Sequence, residues 1–171
     1  FHTSYRELVK ELGLTIVPSF TDIPGESTWL MGDGVFLGED MPWMADTDRK
    51  IYDQLDREFA ELAATVNPDD PWSHPDAVKL DQLSFADWLR SQGASPQVLR
   101  AMELRTFGLA DDSIERRSLL ADLRKEAIAG ANGFYDYDVW ENAKVLEGSA
   151  TVALRMAEEL DYRIRYSTPV A

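Results

Sequence analysis

"TWLMGDGVFLGEDMP", Thr28 to Pro42, is the stretch on which the fold turns, because its glycines can be read in two ways. Gly32-Asp33-Gly34-Val35-Phe36-Leu37-Gly38 comes near a dinucleotide fingerprint, whose third glycine opens a helix with its N-terminus against a pyrophosphate. Here that glycine falls one place late, and Glu39-Asp40-Met41-Pro42 follows in place of a helix. Two carboxylates there would repel a pyrophosphate. The flanks favour the other reading. Thr28-Trp29-Leu30-Met31 and Val35-Phe36-Leu37 suit paired strands, and Gly32-Asp33-Gly34 offers the positive φ angles of a hairpin turn. We therefore read a hairpin, which sets strands beside a largely helical chain and makes the fold class α+β.

Toward the N-terminus, Ser4 and Glu7 have capping-box spacing, and Tyr5, Leu8, Val9 and Leu12 share one helical face until Gly13 stops it. This predicts a helix over 4–12. Leu14-Thr15-Ile16-Val17 then reads as a short strand ended by Pro18. Toward the C-terminus the period lengthens from Asp46, where Ile51, Leu55, Phe59 and Leu62 recur with charges between them, as on a surface helix. Asn67 to Trp72 breaks that helix. Ser84 with Asp87 caps the next, Ser95-Pro96 opens another with Leu99, Met102 and Phe107 inward, and Asp112-Ser113 is expected to start a fourth. A last helix, Ser149 to Leu160, places Val152, Met156 and Leu160 together. Beyond it, Tyr162, Ile164 and Tyr166 alternate with Arg163, Arg165 and Ser167, the pattern of a half-buried strand. We expect three segments: 1–45 with a helix, strand and hairpin, 46–130 as a helical block, and 131–171 with an aromatic loop, helix and strand.

The 171 residues are 44% hydrophobic, enough for a real core. Asp and Glu number 31 against 17 Lys and Arg, a formal charge of -14 that repels phosphate backbones and anionic lipid. Nucleic acid and membrane surfaces are therefore not expected partners, and small cations are weakly attracted. With no cysteine, a thiolate nucleophile, a disulfide and a Cys-bound metal are all excluded, and a reducing compartment is permitted without being demanded; the expected location is cytoplasmic. Only His2 and His74 are present, so no metal site and no Ser-His-Asp triad is expected. No apolar run reaches the length of a membrane span, and Phe1-His2-Thr3 suggests a start that has been cut.

The acidic pairs Asp69-Asp70, Asp111-Asp112 and Asp136/Asp138 sit at loops or helix starts, where turns and caps want Asp, so we read them as structural. Gly133-Phe134-Tyr135-Asp136-Tyr137-Asp138-Val139-Trp140 is dense in aromatics for a non-periodic stretch; such residues either line an apolar pocket or cap a core. Residue chemistry alone nominates no catalytic residue. A helical interaction module with no catalytic role is a competing reading at this level.

Three stretches in order resemble the flavin-containing amine oxidase family, which includes monoamine, polyamine and L-amino-acid oxidases. "YRELVKELGL" (5–14) running into "TIVPS" is similar to the helix and strand that follow the family's amino-terminal flavin-binding segment. "KLDQLSFADWLRSQG" (79–93) resembles the start of a substrate-domain helix. "VLEGSATVALRMAEELDYRIRYSTPVA" (145–171) resembles the return from the substrate domain to the flavin domain, with Glu147 standing where many members have the first of two glycines. The amino-terminal glycine fingerprint, its ribose-binding acid and the carboxy-terminal aromatic cage have no counterpart in these residues. The resemblance implies the substrate-binding portion of an oxidase that takes FAD and passes a hydride from an amine carbon to it. The amine becomes an imine, and dioxygen yields hydrogen peroxide.

Carried over position by position, the resemblance lays the Val170 backbone on the flavin's adenine. It puts Phe134 on the substrate-cavity wall with Tyr135 and Tyr137 as neighbours, and Phe107, between two helices, on the same wall. Expected partners are a small amine, the remaining flavin domain and a second copy in a homodimer. Alone, these residues are expected to be colourless and inactive.

Overall fold

In the computed structural model, residues 3–19, 26–32, 34–39, 41–110, 112–130, 142–160 and 163–169 are described, with the backbone alone at 107–110. The chain forms two compact units, one from Phe1–Ile23 with Tyr137–Ala171 and one from Pro24–Asp136. The architecture is α+β: seven α-helices and two two-stranded sheets among the described residues.

The larger unit contains the hairpin. Strand β2 (Thr28–Met31) pairs antiparallel with β3 (Gly34–Leu37), matching Trp29 with Phe36 and Leu30 with Val35. Alternation puts Trp29, Met31 and Phe36 on the half-buried face, where the Trp29 indole donates to the Gly38 carbonyl at 3.0 Å and meets Trp43 at 6.5 Å. Gly32 thus leaves β2 and Gly34 opens β3, but neither glycine takes the positive φ expected of it.

Helices α2 (Asp46–Ala63), α3 (Ala77–Gln82), α4 (Phe85–Ser91), α5 (Pro96–Ala110) and α6 (Leu119–Ala129) make the rest of this unit. Leu55, Phe59 and Ala63 recur every four residues along α2 and are buried. At the centre, Phe59 lies 4.7 Å from Phe85 and 5.8 Å from Trp88. Leu89, Val98, Met102, Ile114, Leu119 and Leu123 complete the core. The capping box at α4 is present, the Asp87 amide donating to Ser84 Oγ at 3.0 Å. Ser95 does two jobs at the start of α5: its oxygen accepts the Val98 amide, and its hydroxyl donates to Asp48 on α2 at 2.6 Å.

The helix expected from Asp112-Ser113 begins instead at Leu119. The backbone before it is committed elsewhere, since the Ile114 and Arg117 carbonyls accept the first amides of α4, and the Leu119 amide donates to Leu83. Apart from one turn at Ser113, whose carbonyl accepts the Arg116 and Arg117 amides, the carbonyls that would continue a helix are thus given to a neighbour. Ser118 is the cap, accepting the Ala121 amide.

In the smaller unit, α1 (Thr3–Glu11) begins one residue ahead of Ser4, which therefore lies within the first turn and not at the cap. Gly13, at φ +69°, ends the helix, and the Leu14 amide turns back to the Val9 carbonyl. Strand β1 (Ile16–Pro18) pairs antiparallel with β4 (Ala143–Val145), a strand that no sequence signal marked. Proline is tolerated at this end of β1 because a two-stranded sheet is all edge. Val9, Val145 and Val152 form the buried core, with Leu8, Leu12, Leu14 and Ile16 against it.

Helix α7 (Ser149–Leu160) follows, but of its expected inward face only Val152 is buried; Met156 and Leu160 are about two-fifths exposed. The strand expected from Tyr162 does not form over the described residues 163–169, which hold turns and a Ser167 at φ +54°. No strand among the described residues pairs with them, and alternation without a ladder partner leaves a strand's backbone groups unmatched.

Candidate functional site

Polar side chains gather inside the helical unit where α2, α5, α6 and the 112–118 turn meet. Among the described residues, Arg117, Asp122 and Glu126 are the buried charged ones, each 7% exposed. Burying Arg117 is tolerable only because every part of its guanidinium is engaged. Its Nε donates to both Asp122 oxygens at 3.0 and 3.2 Å, Nη1 to the Asp112 carbonyl at 2.8 Å, and Nη2 to Thr106 Oγ1 at 2.8 Å. The Thr106 hydroxyl spends its own proton on the Met102 carbonyl, so its oxygen faces Arg117 as an acceptor.

A second pair lies one residue earlier on α5, where Arg105 bonds Asp56 of α2 and reaches the Tyr52 hydroxyl at 3.4 Å. Burial pushes Tyr52 above its ordinary value, against the pull of Arg105, so its hydroxyl stays neutral. For Asp122, burial also outweighs the attraction of Arg117 and raises its carboxyl above the usual range. Between these groups lies a cleft of about 20 Å³, room for one water, walled by Phe59, Phe85 and Met102 with Arg105, Asp122 and Glu126. It is too small for an organic substrate, and its chemistry is that of a brace.

A larger hollow of about 320 Å³ lies beside the hairpin, with Met31, Phe36 and Trp43 as apolar walls and Gln97 and Arg100 at its rim. Its residues offer shape and one cation, but no acid-base pair.

His74 is occupied structurally. Its Nδ1 accepts the Asp76 amide at 3.1 Å, which leaves the proton on Nε2 to meet Thr65 Oγ1 at 3.2 Å, since Thr65 gives its own proton to the Leu62 carbonyl. Among the described residues no three acidic or histidine side chains are placed to hold a metal. Of the acidic pairs, Asp111, Asp136 and Asp138 lie outside the described residues; the Asp112 carboxylate accepts the Ser113 amide and Arg116, while at Asp69 it is the backbone amide that donates, to Asn67 Oδ1.

Of the residues expected at the site, Val170, Phe134, Tyr135 and Tyr137 lie outside the described residues. The backbone of Phe107 belongs to α5, which runs on to Ala110. Sequence reasoning did not single out Arg105 or Arg117. The signal it could have used is Arg117 flanked five residues either side by Asp112 and Asp122.

The departure at Glu147 has a structural role. Its carboxylate accepts the Thr15 amide through both oxygens, at 3.0 and 3.2 Å, and these backbone bonds hold it below the usual carboxylate range. Gly148, at φ +90°, turns the chain into α7, and the Thr151 hydroxyl donates to the Glu147 carbonyl.

No protein-family model matches the chain. A putrescine oxidase of Kocuria rosea is 30% identical over 177 aligned residues, covering 98% of this chain and 36% of that protein. Among solved structures, putrescine oxidase bound to putrescine superposes with a TM-score of 0.78 at 28% identity, over 95% of this chain and 37% of the other. Cyclohexylamine oxidase from Brevibacterium oxydans IH-35A gives 0.72 at 25% identity, over 95% and 36%. The chain spans little more than a third of the length of these relatives.

Proposed function

Since the chain belongs to the flavin-containing amine oxidase family, we propose that it is the substrate-binding portion of an FAD-dependent enzyme oxidising a small amine. The likeness to putrescine oxidase carries this reading, because it runs through both compact units and nearly every residue, not through one motif. In this reading 46–130 is the substrate-domain block and 131–171 leads back to the flavin domain, with Phe107, Phe134, Tyr135 and Tyr137 on the cavity wall and Val170 against the adenine.

The described residues do not make a flavin site by themselves. Gly32 and Gly34 serve the hairpin, and no helix follows them closely enough to receive a pyrophosphate. Cofactor binding therefore falls to the rest of such a protein, and the hydride transfer, imine hydrolysis and peroxide formation belong to the flavin, water and dioxygen. This chain's part is to bind the amine, orient it and exclude water. The formal charge of -14 favours a cationic amine in the encounter.

Testing requires the complete protein, purified and offered monoamines, polyamines and L-amino acids with peroxide as the readout. Flavin absorbance together with peroxide from at least one amine is expected. Absence of both would sink the proposal. The 171 residues alone should be colourless and produce no peroxide.

A further inference from the structure

The hairpin is apolar on both faces. Trp29, Met31 and Phe36 are half-buried on one, whereas on the other Leu30 is 83% exposed and Val35 and Leu37 are each 63% exposed. The register sets Leu30 opposite Val35 and Thr28 opposite Leu37, so the three aliphatic side chains adjoin on one surface. An antiparallel pair with one face in water alternates apolar with polar residues, while a strand covered on both faces reads as a continuous apolar run. Trp29-Leu30-Met31 and Val35-Phe36-Leu37 are such runs, and neither strand carries a charge.

Resting on the amine oxidase reading above, we infer that this outer face is a docking surface whose occupant is an apolar segment from the remaining part of the same oxidase chain. A two-stranded hairpin is marginal by itself in water, and cover on its second face supplies the burial it lacks.

Length supports that occupant. This chain spans 36% of the putrescine oxidase sequence and 37% of its solved structure, so in a protein of that size nearly two-thirds of the residues are available as cover. A second copy is a poorer fit. A stable interface between subunits draws on roughly 20–30 residues a side, and three side chains do not make one. A segment tethered in the same chain docks without the translational and rotational cost of association. A membrane fits less well still, because a formal charge of -14 repels anionic lipid.

The test uses the complete protein carrying Leu30→Cys or Leu37→Cys, treated with a maleimide before and after unfolding in urea, with the labelled peptide identified by mass spectrometry. These 171 residues contain no cysteine, so label in the hairpin peptide can come only from the introduced thiol. A covered thiol reacts at least about tenfold more slowly in the folded protein than in the unfolded one, and that protection is expected at both positions and at every protein concentration. The two positions lie on different strands, so one variant serves if the other fails to fold. Rapid labelling of either folded variant, in a preparation that holds flavin and releases peroxide, would overturn the inference alone. Protection that disappears on dilution would give the face to a second copy and so rule out the same-chain occupant. Wild-type protein with neither flavin absorbance nor peroxide release would overturn the oxidase reading and this inference with it.

Discussion

The helical unit closes its interior with clustered aromatics, Phe59, Phe85 and Trp88 lying 4.7–6.0 Å apart, and then buries an arginine each of whose three guanidinium nitrogens donates a hydrogen bond. The smaller unit relies on three buried valines, one two-stranded ladder and a carboxylate clamp, while α7 leaves Leu154 63% exposed. The difference shows that similar amphipathic patterns do not carry equal stability. An apolar stripe contributes only as far as it is covered, and a two-stranded sheet is marginal without further packing.

Deleting the central ring of the larger unit is the most severe way to probe this contrast. Phe85→Ala should cost roughly 3–5 kcal/mol by urea denaturation, because Phe85 is 2% exposed and its neighbours cannot collapse fully. Hydrogen exchange should lose protection throughout the helical unit and leave β1 and β4 unchanged. If both units lose protection together, the contrast fails.

Next, Asp122→Ala should cost about 3 kcal/mol by stranding Arg117 in a buried site. Asp122→Asn should cost less. Its raised carboxyl gives a definite sign: the folded state favours the protonated acid, so this contribution is present at low pH and lost as pH rises through the folded value. The Asn variant should remove that pH dependence in a stability profile.

In the smaller unit, Val152→Ala should cost about 1–2 kcal/mol, less than the aromatic deletion, since only two methyl groups leave the core. Ser84→Ala at the α4 cap should cost about 1 kcal/mol. The smallest effect concerns Glu147. Its carboxyl is held below the ordinary 4.5, so its contribution is present above that pH and is lost as pH falls through the folded value. Protection of the Thr15 amide should fade over that acid range, whereas Glu147→Gln should show no such transition.

The legible parts of this molecule share a cause. The hairpin at Thr28 to Leu37, helix α2, the caps at Ser84 and Ser95 and the stop at Gly13 depend on φ, on a side chain three residues away or on a period of a few residues. Those signals are complete within the local sequence. Resemblance added the family, and with it a set of site residues that stand as a proposal. Composition alone could not have supplied either, since the chain carries neither a cysteine nor a spare histidine.

What only the tertiary structure decided involves partners distant in sequence. Val145 pairs with Ile16 across the whole helical unit, and Arg117 and Leu119 give up helix bonds to meet residues 83–85. The alternation after Arg163 yields turns where no ladder partner is present among the described residues, and Arg117 becomes a buried brace. Amino-acid order determines which local conformations are cheap. Which carboxylate an arginine meets, and whether an apolar stripe is covered, depends on burial and distance, which exist only after the chain has packed.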